Sequence, residues 1–405
     1  MNHILRNITF RLLVVSTVLL IACSTASTVV KDAECMPPVE KLAYPVGMSE
    51  KTSSVERQEN PPSQMWEIEN DIPTSDFVTS LVARNKDEIW IGTNSMILKY
   101  LTDVRAWTSY TSISDKEVVP ANLFLDHDGV LWGSGLVYNG EATSKSEISL
   151  LSKYDDASNK FISVNDSSNL LKDDGASRST SNLAEDKDGK LWLIVNDFDK
   201  KIGRRSSLYL FDPETLRAEL KLIAPIERQE FQDFTFDLNG NIWIIEFGSL
   251  GAQLVEYDPV TQSVTTYTGR LDDDGIPQDG LVKESDFNNI RNLYLDQEGK
   301  LWVDDRGWLD FTDPSNPIWF NIIRSPVFLG ASSRPESLYG WTRPYLTYQS
   351  SNGQYWFSSI VGMVRLNPDN ADWCKFTNGQ SPIAEDENQY LWIAIFGKLY
   401  KFHLD

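Results

Sequence analysis

"DKDGKLWLIV", residues 186–195, returns along the chain as "DHDGVLWGSG" from Asp126, "DLNGNIWIIE" from Asp237 and "DQEGKLWVDD" from Asp296. Looser copies are "NKDEIWIGTN" from Asn85, "SSNGQYWFSS" from Ser350 and "DENQYLWIAI" from Asp386. The seven tryptophans of these copies, Trp90, Trp132, Trp192, Trp243, Trp302, Trp356 and Trp392, are 42, 60, 51, 59, 54 and 36 residues apart. That period is within or near the range of propeller blades.

Each copy spells a hairpin: a short apolar run ending in Asp, Asn or Glu, a polar turn that usually contains Gly, then a run rich in Ile, Val and Trp. A third segment follows, as in "ILKY", "LSKY", "LYLF" and "LVEY", more loosely in "WLDF", "MVRL" and "LYKF". Turn signals such as Asp212-Pro213 and Asp258-Pro259 often close it. A fourth segment is aromatic or β-branched: "WTSYT" at 107, "FISV" at 161, "VTTYT" at 264, "WFNII" at 319 and "WCKFT" at 373. Helical periodicity is hardly visible. The expected fold is therefore all-β, a seven-bladed β-propeller of four-stranded antiparallel blades. The seventh repeat ends after its third segment, which would leave an open edge. "QMWEIEN", residues 64–70, has the look of a fourth strand, so the two ends of the chain are expected to share the last blade.

The pattern Asp-x-x-Gly-x-Leu-Trp followed by a Leu-x-x-Tyr-Asp segment resembles the two-component-regulator propeller repeat of bacterial extracytoplasmic sensor regions, over roughly residues 64–405. The resemblance implies a propeller that binds or senses material outside the cytoplasm. No transmembrane, kinase or receiver segment follows the repeats in this sequence.

The N-terminus reads as an export signal: Arg6 and Arg11, then "LLVVSTVLLIA", then Cys23. "LIAC" is similar to the lipobox of bacterial lipoproteins, which implies cleavage before Cys23 and lipid on its sulfur; the alternative is an ordinary signal or short anchor. Residues 1–22 are thus expected as signal, 23–63 as a Ser-, Thr- and Pro-containing tether and 64–405 as the propeller. Destination outside the cytoplasm would permit a disulfide between Cys35 in the tether and Cys374 in a fourth strand; two free thiols are the other reading. The chain carries 37 Lys and Arg against 58 Asp and Glu, a net charge of −21. That balance argues against a nucleic-acid or anionic-lipid surface, and a monomer is expected.

Long connections, at 133, 164, 195, 267 and 323, all emerge on one face of a four-stranded meander, so binding is expected there. In that company Trp341 lacks a role in the repeat and stands beside Tyr339 and Arg343. Trp308 falls where other third strands place apolar packing. Two positions after the repeat tryptophan, the fifth copy alone offers a carboxylate, Asp304. With Asp305 and Arg306 it would form a local ion pair, or face the funnel mouth with Glu246 and meet a polar ligand or Ca²⁺. "DDDG" at 272 and "DDG" at 173 lack the spacing of a calcium loop, and no metal ligand set is assigned.

The expected function is a non-catalytic binding or sensing module for a glycan, a peptide or an envelope protein. The rival reading is an enzyme, either of the streptogramin-lyase type, whose repeat this chain resembles, or a carboxylate-based glycan hydrolase or lyase. Lyases of that family imply a histidine base with a metal-linked glutamate, whereas His3, His127 and His403 all fall away from the loop-rich face.

Overall fold

The computed structural model describes residues 67–404 except 75, 112–121, 136–150, 165–176, 200–202, 226–229, 249–250, 268–279, 282–289, 305–306, 312–316, 322–344, 360–361, 368–371, 378–380 and 396. Within these residues the strands form seven antiparallel sheets, one per repeat. Each begins with an innermost strand, followed by the strand that carries the repeat tryptophan. Blade four shows the pattern at full length, with strands Glu230–Phe236, Ile242–Gly248, Gly251–Tyr257 and Val264–Tyr267 in sequential order.

The last blade is completed from the other end of the chain. Glu67–Asp71 pairs antiparallel with Lys398–His403, with Ile68 opposite Tyr400 and Asp71 opposite Lys398. Expectation and structure agree on this closure, although residues 64–66 lie outside the described set. Glu69, buried at the seam, fastens it: its carboxylate meets Lys401 Nζ at 2.8 Å and Arg105 Nε at 3.4 Å and accepts a hydrogen bond from Tyr100 Oη at 2.9 Å. Burial opposes the charge, but these partners outweigh it and hold the Glu69 carboxyl below its ordinary range.

What binds blade to blade is the repeat tryptophan. Trp90 packs with Leu123, Leu131, Tyr154 and Phe161 of blade two, and Trp132 with Leu191, Leu193 and Phe211 of blade three. Trp192, Trp243, Trp302 and Trp356 repeat the move around the disc. Trp392 then packs against Ile89, Ile91 and Leu98 of blade one. Seven sheets whose indoles each fill the next sheet can finish only as a ring, which is why the sequence keeps one phrase.

The aspartate of the phrase has a second task. In "DKDGKLW" the Asp186 Oδ1 accepts the backbone N–H of Asp188 and of Lys190, and Oδ2 accepts the Trp192 Nε1–H at 2.8 Å. Gly189 takes φ of 74°, closing a three-residue hairpin loop that a Cβ would strain. Asp126, Asp237, Asp296 and Asp386 bond their own indoles in the same way, at 2.8, 3.1, 2.8 and 2.9 Å. Each carboxylate thus shapes the turn and orients the tryptophan that seats the neighbouring blade. The turns also clasp the innermost strand of the following blade: His127 N–H donates to Glu185 and Gln297 N–H to Gln349.

Two segments expected as loops are strands. "VNDFDKKIGRRSS" is mostly hairpin, because blade three runs its second strand through Asp199 and resumes its third at Gly203. Part of the linker from 267 pairs as well, Gly280–Leu281 adding a fifth strand to the outer edge of blade five. In both places backbone pairing at an available edge satisfies N–H and C=O groups that an excursion over the surface would leave to water.

Candidate functional site

The innermost strands wall a central channel, and near their loop-rich ends the wall turns polar. Ser80 lies opposite Gly92, Asn122 opposite Ser134 and Asp233 opposite Ile245, each two register steps beyond the residue facing the tryptophan. In blade three a bulge between Ser181 and Leu183 frees Asn182, which takes φ of 40°. In blade five Asn292 holds the same place, its carbonyl accepting the Asp304 N–H at 2.9 Å. Blades two to five write this position as the first letter of "NLFLD", "NLAED", "DFTFD" and "NLYLD", four residues before the turn aspartate. These residues line a cavity of about 540 Å³, together with Ser134, Gln232 and Arg291. That volume is in the range of small-molecule sites.

Much of the ring is spent on holding blades together. Leu123 N–H donates to Ser80 Oγ at 3.0 Å, and Gly135 N–H to Thr180 Oγ1 at 3.1 Å. Asn182 Nδ2 donates to Asp233 Oδ1 at 2.6 Å and to the Gln232 carbonyl at 2.9 Å, while Leu293 N–H reaches Asp233 Oδ2 at 2.7 Å. Asp233 therefore ties three successive blades. Its surface is partly open to the channel, but the depth of protein around it dominates. Burial pushes its carboxyl up to about 7 against the N–H donors from Leu293, Phe234 and Asn182, with Asp304 pushing the same way.

Three groups on the wall are not spent. The side-chain amide of Asn122, the Oδ1 of Asn182 and the Arg291 guanidinium have no hydrogen bond or ion pair among the described residues. Arg291 is exposed at the wall. The cavity thus offers one carboxylate, one guanidinium and open amide groups at a single level of the disc.

The residues singled out from sequence lie elsewhere. Asp304 is buried in the turn between the second and third strands of blade five at φ of 49°, its Oδ1 accepting from Asn292 Nδ2 at 3.2 Å. It stands behind Asn292 and is not among the cavity-lining residues. Glu246 is buried on the face of its strand that carries Ile244, toward blade three, where Gln253 Nε2 donates to it at 2.5 Å and its Oε1 has no hydrogen bond. Burial raises its pKa, with the Gln253 hydrogen bond opposing. The structure therefore does not bring Asp304 and Glu246 together at a funnel mouth, because strand alternation turns them toward different neighbours.

Tyr339, Trp341, Arg343, Asp305, Arg306, Cys23 and Cys35 lie outside the described residues, as do both acidic loops at 173 and 272. Cys374 sits in the fourth strand of blade six, opposite Arg365. Trp308 packs as expected, stacked on Phe320 at 5.6 Å and against Trp302 at 5.0 Å. His127 lies on the opposite, turn face, raised above its usual pKa by its hydrogen bond to Glu185, and His403 lies edge-on to Tyr390.

No family model and no curated protein matches the sequence. Solved structures do. The extracellular domain of the hybrid two component system BT3049 from B. thetaiotaomicron is 16% identical with a TM-score of 0.53, over 82% of this chain and 39% of that one. Virginiamycin B lyase from Staphylococcus aureus is 14% identical with a TM-score of 0.50, over 83% of this chain and 98% of that one. This chain therefore spans about two fifths of the BT3049 domain's length. At such identities the likeness is one of architecture, and it agrees with the sheets described above: the chain is a seven-bladed β-propeller whose first and last strands share a blade.

Proposed function

We propose that this protein is an extracytoplasmic binding or sensing module that takes a small polar solute at the mouth of its central channel. The observation that carries the reading is the row of unspent polar groups, Asn122, Asn182 and Arg291, converging on a cavity of about 540 Å³. Half-buried amides such as those of Asn122 and Asn182 are costly to leave without partners, so a wall with such spare capacity, beside the open Arg291 guanidinium, is matched to a ligand or to water that a ligand displaces. The N-terminal stretch that reads as an export signal and the likeness to the BT3049 extracellular domain support a place outside the cytoplasm. The long loops around the same face, with Tyr339, Trp341 and Arg343, would add contacts to a glycan, a peptide or an envelope protein.

The test is calorimetric titration of full-length protein with small solutes, beside Asn122→Ala. Asn122 has no internal bond to lose, so the variant should fold normally and bind more weakly; unchanged binding would remove the channel as the site.

Carboxylate catalysis has one observation in its favour, an Asp233 carboxyl that holds its proton to about pH 7 next to Asp304. Acid–base work needs both groups at the substrate, and Asp304 is screened by Asn292. Binding is the better-supported reading.

A further inference from the structure

Resting on that reading, we infer that the channel recognises a small zwitterion, an α-amino acid or a molecule with the same adjacent ammonium and carboxylate, through Asp233 and Arg291. These are the charged residues among those lining the cavity. Leu293 N–H donates to Asp233 Oδ2 at 2.7 Å, and Arg291, two residues earlier in the chain, lines the same cavity as Asp233. Arg291 and the Asp233 carboxyl, which is ionised above about pH 7, thus line one space across the seam between blades four and five.

Their bonding states differ in a way that suits this ligand. Arg291 has no partner among the described residues, so its guanidinium is open to a carboxylate, which it can hold through two parallel N–H donors. Asp233 already accepts three N–H groups, leaving its carboxylate about one further acceptor position of roughly four. That position, with the open Oδ1 of Asn182, would take an ammonium.

Two alternatives fit less well. A net anion meets Arg291 favourably but must approach a chain of net charge −21, which repels it. A sugar would find amides, yet the aromatic residues at the wall, Phe124 and Phe234, are committed to the packing between blades, so the cavity presents no ring for a pyranose face. A zwitterion brings its own cation and is net neutral.

The test is calorimetry at pH 8, where the Asp233 carboxyl is ionised, on the full-length protein with a panel of free L-amino acids. Alaninamide, acetate, methylammonium, glucose and calcium chloride serve as comparators. The expected result is that at least one amino acid binds at about 1 mM or tighter. Alaninamide, which lacks the carboxylate, and the single-charge solutes should bind about tenfold or more weakly. Arg291→Gln should cost a similar factor while leaving the thermal midpoint unchanged, because Arg291 holds nothing internal. Amino-acid binding that survives Arg291→Gln overturns the inference. Binding of glucose or calcium that depends on Asn122 also overturns it, while keeping the channel as a binding site. Heat from none of these solutes removes both the inference and the channel reading.

Discussion

Trp302 Nε1 donates a hydrogen bond to Asp296 Oδ2 at 2.8 Å, and the Oδ1 of the same carboxylate accepts the backbone N–H groups of Glu298 and Lys300 at 3.0 and 2.8 Å. Turn shape and indole orientation are thus one carboxylate's work. Replacing Asp296 by Asn keeps the turn acceptor but points an amide N–H at the indole N–H. The expected cost is about 1–3 kcal/mol, read as a lower urea midpoint. Asp188→Asn, the same change on an exposed turn residue without such bonds, should stay within about 0.5 kcal/mol. Equal effects of the two would show that the carboxylate does not orient the tryptophan.

The ring closes through Glu69, which reaches Lys401 within its own blade and Tyr100 and Arg105 of blade one. Glu69→Ala would leave the Lys401 ammonium and the Tyr100 hydroxyl without their acceptor. Breaking a buried pair from one side costs about 3–5 kcal/mol, and the open contact with the exposed Arg105 moderates that figure little. Because the folded pKa of Glu69 is depressed, its contribution is present above the ordinary glutamate range and is lost as pH falls through the folded value. Melts of the wild type and the variant should therefore converge on acidification; a constant gap would assign the effect to packing alone.

The repeat and its closure were legible because they are one-dimensional facts: a tryptophan at a blade period and an unpaired strand's worth of residues upstream. The polar ring was equally present, as the first letters of "NLFLD", "NLAED", "DFTFD" and "NLYLD". Its meaning depends on which strand is innermost, and that follows only once the seven sheets stand in a circle. The bulges beside Asn182 and Asp233 also break the alternation that would have marked those side chains as inward-facing. Asp304 and Glu246 drew attention as charges in second strands, yet second strands face neighbouring blades. Nothing in the sequence says that a turn aspartate will bond a tryptophan six residues on.

Blade seven departs from blades two to six at one turn position. Gly129, Gly189, Gly240, Gly299 and Gly353 all take positive φ, and in the corresponding place stands Gln389, at φ of 62°. A side chain in the left-handed region costs roughly 1–2 kcal/mol, part of which a glycine returns as entropy of the unfolded chain. Gln389→Gly should raise stability by about 0.5–1 kcal/mol. Its mirror image, Gly240→Ala, meets no atom within 4 Å of the added Cβ, so its loss of about 1 kcal/mol would report φ strain alone. Denaturant midpoints moving in opposite directions are the expected result; a destabilised Gln389→Gly would show that the glutamine side chain is needed there.

Asp233 sets a pH dependence opposite in sign to that of Glu69. Its carboxyl is raised to about 7 in the folded protein from an ordinary value of 3.8, so between those values the folded state binds the extra proton. Stability from this group is therefore full at pH below the unfolded value, falls as pH rises, and is lost above about 7. The charged neighbour that bears on it is Asp304, which raises it further. Asp233→Asn removes the titration while keeping an acceptor for Phe234 N–H and Asn182, at the expense of the Leu293 contact. The wild type should lose thermal midpoint between pH 5 and 8 more steeply than the variant, so that the gap between them narrows at the higher pH. Parallel profiles would place the Asp233 pKa outside that window and return the carboxylate to a charged state held by its three N–H donors.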